Sequence, residues 1–306
     1  MAKILISGLL NLETTARTRG FPIQYYPVDY TFFGVSSTLS GVALNIAKAL
    51  SKLGDSVSLA SLTGNDLTSR FFLEEIKNLG ISTDHILQKL RETPASVVLY
   101  DESGRRQIYC DLKDIQETDH EFTEEMVAEA DAVVACNINF SRPLLDMAKA
   151  GNKLIATDVH VLTNPDDDYN REFMAKADIL FLSDEGITWN KHDFVRALGE
   201  RYHNRIIVLG MGASGALLHM PHDNLMVERP ACKIGNVINT VGAGDALFSA
   251  FLHFYLKGAD PVSALDSAQL FAALKIRHAG AAEGFVTEAE IEEKKQSRKS
   301  RTKHVP

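Results

Sequence analysis

Cysteine is scarce in this chain. Its 306 residues include three, Cys110, Cys136 and Cys232, and no two of them form a C-x-x-C pair. That spacing argues against a zinc cluster or a redox pair, and a low, odd count fits a reducing compartment better than a disulfide scaffold. Long apolar runs are missing as well. Nothing approaches the ~20 consecutive apolar residues of a membrane span. The opening run to Gly8 is too short for the apolar core of a secretory signal, and Glu13 and Arg17 follow at once. The expectation is a cytoplasmic protein without membrane contact. Basic charge is not in excess either. The formal charge is −8, which argues against a general binder of phosphate backbones and so against a nucleic-acid partner. The one basic cluster, Lys294, Lys295, Arg298, Lys299, Arg301 and Lys303, reads as a solvated, frayed tail over 294–306. No H-E-x-x-H spacing occurs among the ten histidines. There is no internal repeat, low-complexity linker or clean boundary, so a single domain over 1–306 is expected.

What the sequence does contain is alternation. Short apolar runs at 3–7, 57–62, 132–136, 153–157, 178–182 and 205–209 are separated by segments with helical spacing at 39–53, 66–80, 143–150 and 191–198. Continuous apolar strands divided by helices predict a mostly parallel sheet covered on both faces. Two segments interrupt the pattern. Residues 23–37 carry Tyr25, Tyr26, Tyr30, Phe32 and Phe33 without helical period, and runs 95–100 and 106–111 flank Asp101-Glu102-Ser103-Gly104, a hairpin turn signature. These read as strands of a small β flap, with the aromatics either forming its core or closing over a ligand.

The strongest signal is Asn239-Thr240-Val241-Gly242-Ala243-Gly244-Asp245, followed at once by helical periodicity through Phe248, Leu252 and Leu256 to Gly258. Glycines weaken a helix interior by about 1 kcal/mol each. At a helix N-terminus they instead let free backbone amides and the helix dipole gather around an anion. Asp245 sets a carboxylate beside that anion site. As an isolated feature it reads equally well as a cap or as an acceptor for the proton of an attacking hydroxyl.

This segment resembles the D-T-x-G-A-G-D signature of the ribokinase-like (PfkB) carbohydrate kinases, with Asn239 in place of the aspartate. Ser40-Gly41-Val42-Ala43-Leu44-Asn45-Ile46-Ala47 is similar to the family's G-G-x-x-x-N-x-A, with Ser40 in place of the first glycine. The order and separation of the two motifs match, and the resemblance spans nearly the whole chain. It implies a ribokinase-like three-layer α/β/α sandwich with a mostly parallel central sheet and a small β lid formed by about 12–38 and 91–112. It also implies an ATP-dependent phosphotransferase acting on a hydroxyl of a sugar or sugar derivative. Asp245 would be the base, and the amides of Gly242, Ala243 and Gly244 would steady the phosphoryl group in flight.

The same resemblance assigns substrate contacts to Asn11, Glu13, Gly41 and Asn45, with Asn11-Leu12-Glu13 standing where the family has N-x-D. Nucleotide contacts fall to Thr240, Gly212, Gly215 and Gly280. Gly210-Met211-Gly212-Ala213-Ser214-Gly215 also fits G-x-G-x-x-G, but a strand expected at 216–220 speaks against a dinucleotide site. Mg²⁺ is implied with ATP. The family's N-x-x-E falls on Ser183-Asp184-Glu185-Gly186 with both signature positions changed, so Asp184 and Glu185 become the candidate metal residues. Asn239 replaces an aspartate tied to a monovalent-cation site, which leaves potassium dependence open. His160, just after Asp158 at a strand end, is a further ligand candidate. The competing readings are a ribonucleoside kinase, a nucleotide- or sugar-binding protein without catalysis and, on the glycine match alone, a dehydrogenase. A homodimer formed through the lid is a further expectation.

Overall fold

Continuous apolar runs become strands buried on both faces. The computed structural model of the chain describes residues 1–103, 105–278 and 280–302, with backbone alone for 298–302. In chain order, β1 (Lys3–Ser7) leads to β2 (Asn11–Arg17), β3 (Val35–Ser40), α1 (Val42–Leu53), β4 (Ser56–Gly64), α2 (Leu67–Asn78) and β5 (Ile86–Leu90). The hairpin β6 (Ala95–Tyr100) and β7 (Arg106–Asp111) follows. Then come α3 (Glu124–Ala128), β8 (Ala132–Ala135), α4 (Arg142–Ala150), β9 (Leu154–Val161), α5 (Arg171–Lys176), β10 (Ile179–Ser183), α6 (Lys191–Tyr202) and β11 (Ile206–Gly210). The chain ends with β12 (Ala216–Met220), β13 (Leu225–Arg229), α7 (Ala243–Leu256), α8 (Pro261–Lys275) and α9 (Glu288–Thr302).

The nine-stranded sheet runs β13-β12-β11-β10-β9-β8-β1-β4-β5. It is parallel from β11 to β5 and antiparallel at β12 and β13. Successive side chains of a strand point to opposite faces, and the core divides accordingly. Ile4, Ile6, Ile206 and Val208 pack with α1, α7 and α8, whereas Leu5, Ile207 and Leu209 pack with α4 and α6. Each fully buried Leu, Ile or Phe contributes roughly 1.5–3 kcal/mol, so both helical layers are held by the same strands. This is the mostly parallel sheet covered on both faces that the alternation predicts, and the three-layer α/β/α sandwich that the resemblance implies.

A second sheet of four strands, in the order β3-β2-β6-β7, stands beside the first. It carries the segments expected to form the flap, with a difference in the aromatic stretch. Of residues 23–37, only the part from Val35 onward is strand, and 18–34 is irregular. Pro22 and Pro27 lack the N–H that a ladder needs. The aromatics there are not a flap core: Tyr25, Tyr30 and Phe32 are 88%, 78% and 79% exposed. One helix boundary also differs from the sequence reading. Leu39 and Ser40 belong to β3, and α1 begins only after Gly41, whose φ of 109° is closed to ordinary helix residues. The last long core helix, α8, ends at Lys275. The basic segment from Lys294 continues α9, where Lys295 pairs with Glu292 and lies 4.8 Å from the Phe254 ring. The end of the expected tail, 303–306, lies outside the described residues.

Candidate active site

Ligands of open α/β sheets gather at the carboxyl ends of the strands, and the sequence motifs converge there. Gly242 takes the left-handed conformation (φ 76°) as N-cap of α7, which places Asp245 in the first helical turn, 8% exposed. From α1, Asn45 Nδ2 donates to Asp245 Oδ2 at 2.7 Å. Gly41 lets the start of α1 approach the β1–β2 connection: a Cβ there would sit 2.3 Å from the Leu9 carbonyl and 2.9 Å from the Asn11 amide. Asn11, the first residue of β2 and paired in register with Ser40, donates its Nδ2 to Ser96 Oγ at 2.7 Å. The amide oxygens Asn11 Oδ1 and Asn45 Oδ1 are buried and have no hydrogen-bond partner. Buried acceptors are rarely left so, and both lie on residues assigned to substrate. Glu13 follows on β2.

Titration couples these groups. Burial pushes the Asp245 carboxyl above its ordinary range. Nearby His160, the Asn45 hydrogen bond and Lys275 pull it back, and Asp158 adds to the rise. Burial likewise raises Glu13, opposed by Lys275 and Arg106 and reinforced by Asp245. Glu13 on the small sheet and Asp245 on the main body therefore share one electrostatic neighbourhood.

The glycine turn is held from within. The Ala243 N–H closes it onto the Thr240 carbonyl at 3.1 Å, and Asn239 Oδ1 accepts the Val241 N–H at 2.9 Å. Ala243's amide is thus used by the turn, and those of Gly242 and Gly244 are left at the helix opening. A Cβ at Gly244 would meet nothing within 4 Å, so open space lies before the first turn. A Cβ at Gly242 would sit 2.3 Å from the Ala281 carbonyl, which sets the turn against the 280–284 loop.

The remaining candidates sort by geometry. Gly212, at φ 52°, faces open space after β11, whereas Gly215 is pressed against the chain after β13, with the Arg229 carbonyl 2.0 Å from its Cβ position. Gly280 donates its N–H to Glu283 Oε2 at 3.3 Å. The strand expected after this turn is present as β12, antiparallel to β11, so the helix of a dinucleotide fingerprint is missing and the dehydrogenase reading falls. Asp184 forms an ion pair with Lys191, and Glu185 lies 3.9 Å from Arg106 of β7. Among the described residues, the group whose ligand atoms all lie within 4.8 Å of one another is Asp158, His160 and Asp245. His160 sits at φ 58°, its backbone N–H donating to Asp158 Oδ1 at 2.8 Å.

Sequence reasoning missed Lys275. At the end of a helix a lysine reads as an ordinary partner of the dipole, yet this one is fully buried and its Nζ donates to the Val241 carbonyl. Burial lowers its pKa to about 8. Periodicity carries no signal for this, because the burial comes from packing against a turn 34 residues earlier.

A parallel α/β sheet, a helix opening that presents amides to an anion and a buried carboxylate beside it define a group-transfer enzyme. The family model described as pfkB family carbohydrate kinase matches residues 1–288, and the chain belongs to that family as an ATP-dependent carbohydrate kinase. It is 24% identical over 291 residues to an ATP-dependent ribose-1-phosphate kinase of Halopiger xanaduensis, covering 92% of this chain and 94% of that protein. It is 25% identical over 263 residues to a nucleoside kinase of Methanocaldococcus jannaschii, covering 78% and 80%. Among solved structures, a microbiome-derived acarbose kinase superposes with a TM-score of 0.85 at 21% identity, covering 95% of this chain and 98% of that one. Among the described residues no helix is long and apolar enough to cross a membrane.

Proposed function

We propose that the chain moves the γ-phosphate of ATP to a hydroxyl of a sugar or sugar derivative, with Asp245 as the general base. The observation that carries this reading is the Asn45–Asp245 hydrogen bond together with the unpaired, buried Oδ1 atoms of Asn45 and Asn11. An acceptor of hydroxyl protons lies beside the carboxylate, and a polyol supplies the donors these amides lack. Asn11, Glu13, Gly41 and Asn45 bind the substrate, with Glu13 reading hydroxyls from the small sheet. Asp245 takes the proton of the attacking hydroxyl, and the amides of Gly242 and Gly244 hold the anionic phosphoryl oxygens. Thr240 and Ala243 shape that turn. Gly212 and Gly280 border the nucleotide, and Gly215 fixes the turn that carries Gly212.

Mg²⁺ accompanies ATP and, when bound, neutralises charge on the phosphates. Mg²⁺ favours one or two carboxylates completed by phosphate oxygens, and Asp158 offers a carboxylate beside the turn. Asp184 and Glu185 would take part only after release from Lys191 and Arg106. The small sheet acts as the lid. Its apolar exposed residues Val35, Val97 and Tyr109 form the face through which a second copy pairs, and light scattering that reads a monomer removes that part. The location is cytoplasmic.

A ribonucleoside is the second reading. A cavity of about 540 Å³ beside the small sheet is lined by Phe21 and Tyr26 with Arg17, Asp29 and Leu99, and aromatic faces there suit a base. ATP consumption measured against a panel of sugars and ribonucleosides separates the two. Turnover confined to sugars supports the first reading and turnover confined to nucleosides the second. Tight binding of a panel member with no turnover sinks both.

A further inference from the structure

Lys275 is the fully buried cation at the site, and the residues around it show what it grips. The C-terminal end of α8 is stitched to the segment that enters the glycine turn: the Ile276 carbonyl accepts the N–H groups of both Ile238 and Asn239, at 2.9 and 3.1 Å. Lys275 continues this seam by donating its Nζ to the Val241 carbonyl. In a planar trans peptide the carbonyl and the following N–H point in opposite directions. Holding the Val241 oxygen toward α8 therefore turns the Gly242 N–H away from α8. The charges facing the ammonium are carboxylates from separate elements: Asp245 of α7, Glu13 of β2 and Glu283 of the loop after α8.

We propose that Lys275 is a positioning residue for phosphoryl transfer. Its ammonium fixes the Asn239–Gly244 turn in the form that presents amides to the phosphoryl group. This inference rests on the kinase reading above. Burial of the unpaired charge is costly, and the neighbouring carboxylates offset that cost only in part. The pKa near 8 has two opposite consequences. The charge is present below that value and lost above it, so turnover falls as pH rises through about 8. The unfolded chain binds more protons than the folded one between there and the ordinary lysine value, so stability rises with pH over the same window. A merely structural lysine gives no such divergence.

The test is kinetic, on the full chain. Lys275→Met keeps volume and removes charge. It is expected to lower kcat by about a hundredfold or more, the loss seen when a preorganised donor is removed, with a smaller change in KM for ATP. Ammonium or methylammonium is expected to restore part of the activity. If this variant does not fold, Lys275→Arg serves instead: its guanidinium stays charged, and the alkaline fall of kcat seen in the wild type disappears. A folded Lys275→Met enzyme with kcat within about threefold of wild type overturns the proposal, since the charge then does little for the barrier. An alkaline limb that persists in Lys275→Arg overturns it too. Loss of turnover in Asp245→Asn alongside full turnover in Lys275→Met would leave the kinase reading intact and sink this one.

Discussion

Asp245→Asn is expected to lower kcat by about 10²–10⁴-fold, the range of a lost general base, and to raise the melting temperature at neutral pH. The first effect follows from the position of Asp245 in the opening turn of α7. The second follows from burial, which lifts the carboxyl above its ordinary value despite His160, Asn45 and Lys275. For an acid with a raised folded pKa, the native state holds more protons than the unfolded state between the two values. Stability therefore declines as pH rises through that window, and at neutral pH the ionised carboxylate works against the fold. An asparagine removes this cost and still offers an oxygen to Asn45 Nδ2. The wild type is expected to lose kcat/KM toward acid, with its midpoint above that of a free aspartate. ATP consumption and thermal melts on the same preparations check both arms. Unchanged turnover in the variant would remove Asp245 from the chemistry, and a lower melting temperature would contradict the account of its burial.

Gly242→Ala is expected to abolish most turnover through geometry rather than charge. The residue sits at φ 76° and a Cβ would stand 2.3 Å from the Ala281 carbonyl. Left-handed backbone costs an ordinary residue about 1–2 kcal/mol, and the contact forces the turn or the 280–284 loop to move. Amides displaced from the phosphoryl group lose stabilisation worth about 10²–10³ in kcat, and KM for ATP rises with it. Gly244→Ala is the matched control. Its Cβ meets nothing within 4 Å, and alanine is the better helix former by about 1 kcal/mol. That variant is expected to melt higher than wild type and yet turn over poorly, because its methyl enters the space before the helix. Wild-type kinetics in both variants would show that no phosphoryl group approaches this turn.

Much of this was legible in the sequence because the deciding features are local. Gly242–Asp245 announces a helix opening beside an acid within four residues, and apolar runs such as Ile206–Gly210 announce buried strands. The segment after Ile23 misled, because aromatic content resembles strand propensity while Pro22 and Pro27 deny the ladder its donors. Leu39 fits the helical spacing of α1, although Gly41 intervenes with a backbone that only glycine adopts readily. Lys275 was invisible, since its burial depends on packing between α8 and the turn before α7. The ion pairs of Asp184 with Lys191 and of Glu185 with Arg106 were equally hidden, because charge partners are set by tertiary neighbours. The proximity of Asp158 and His160 to Asp245 comes from the juxtaposition of β9 and α7, which no spacing in the chain encodes.

Asn11 and Glu13 ride on a strand of the small sheet, whereas Asn45 and Asp245 belong to the main body, and Arg106 of the small sheet lies 3.9 Å from Glu185 in the turn after β10. On the proposed reading, Asn11 and Glu13 meet the acceptor from one jaw, and Asn45 and the activating Asp245 meet it from the other. On that reading, an acceptor lacking a hydroxyl for Glu13 would reach the carboxylate without bridging the two jaws. Selectivity in the proposed arrangement would be exercised by closure, with a poor acceptor refused by a mouth that stays open and wet.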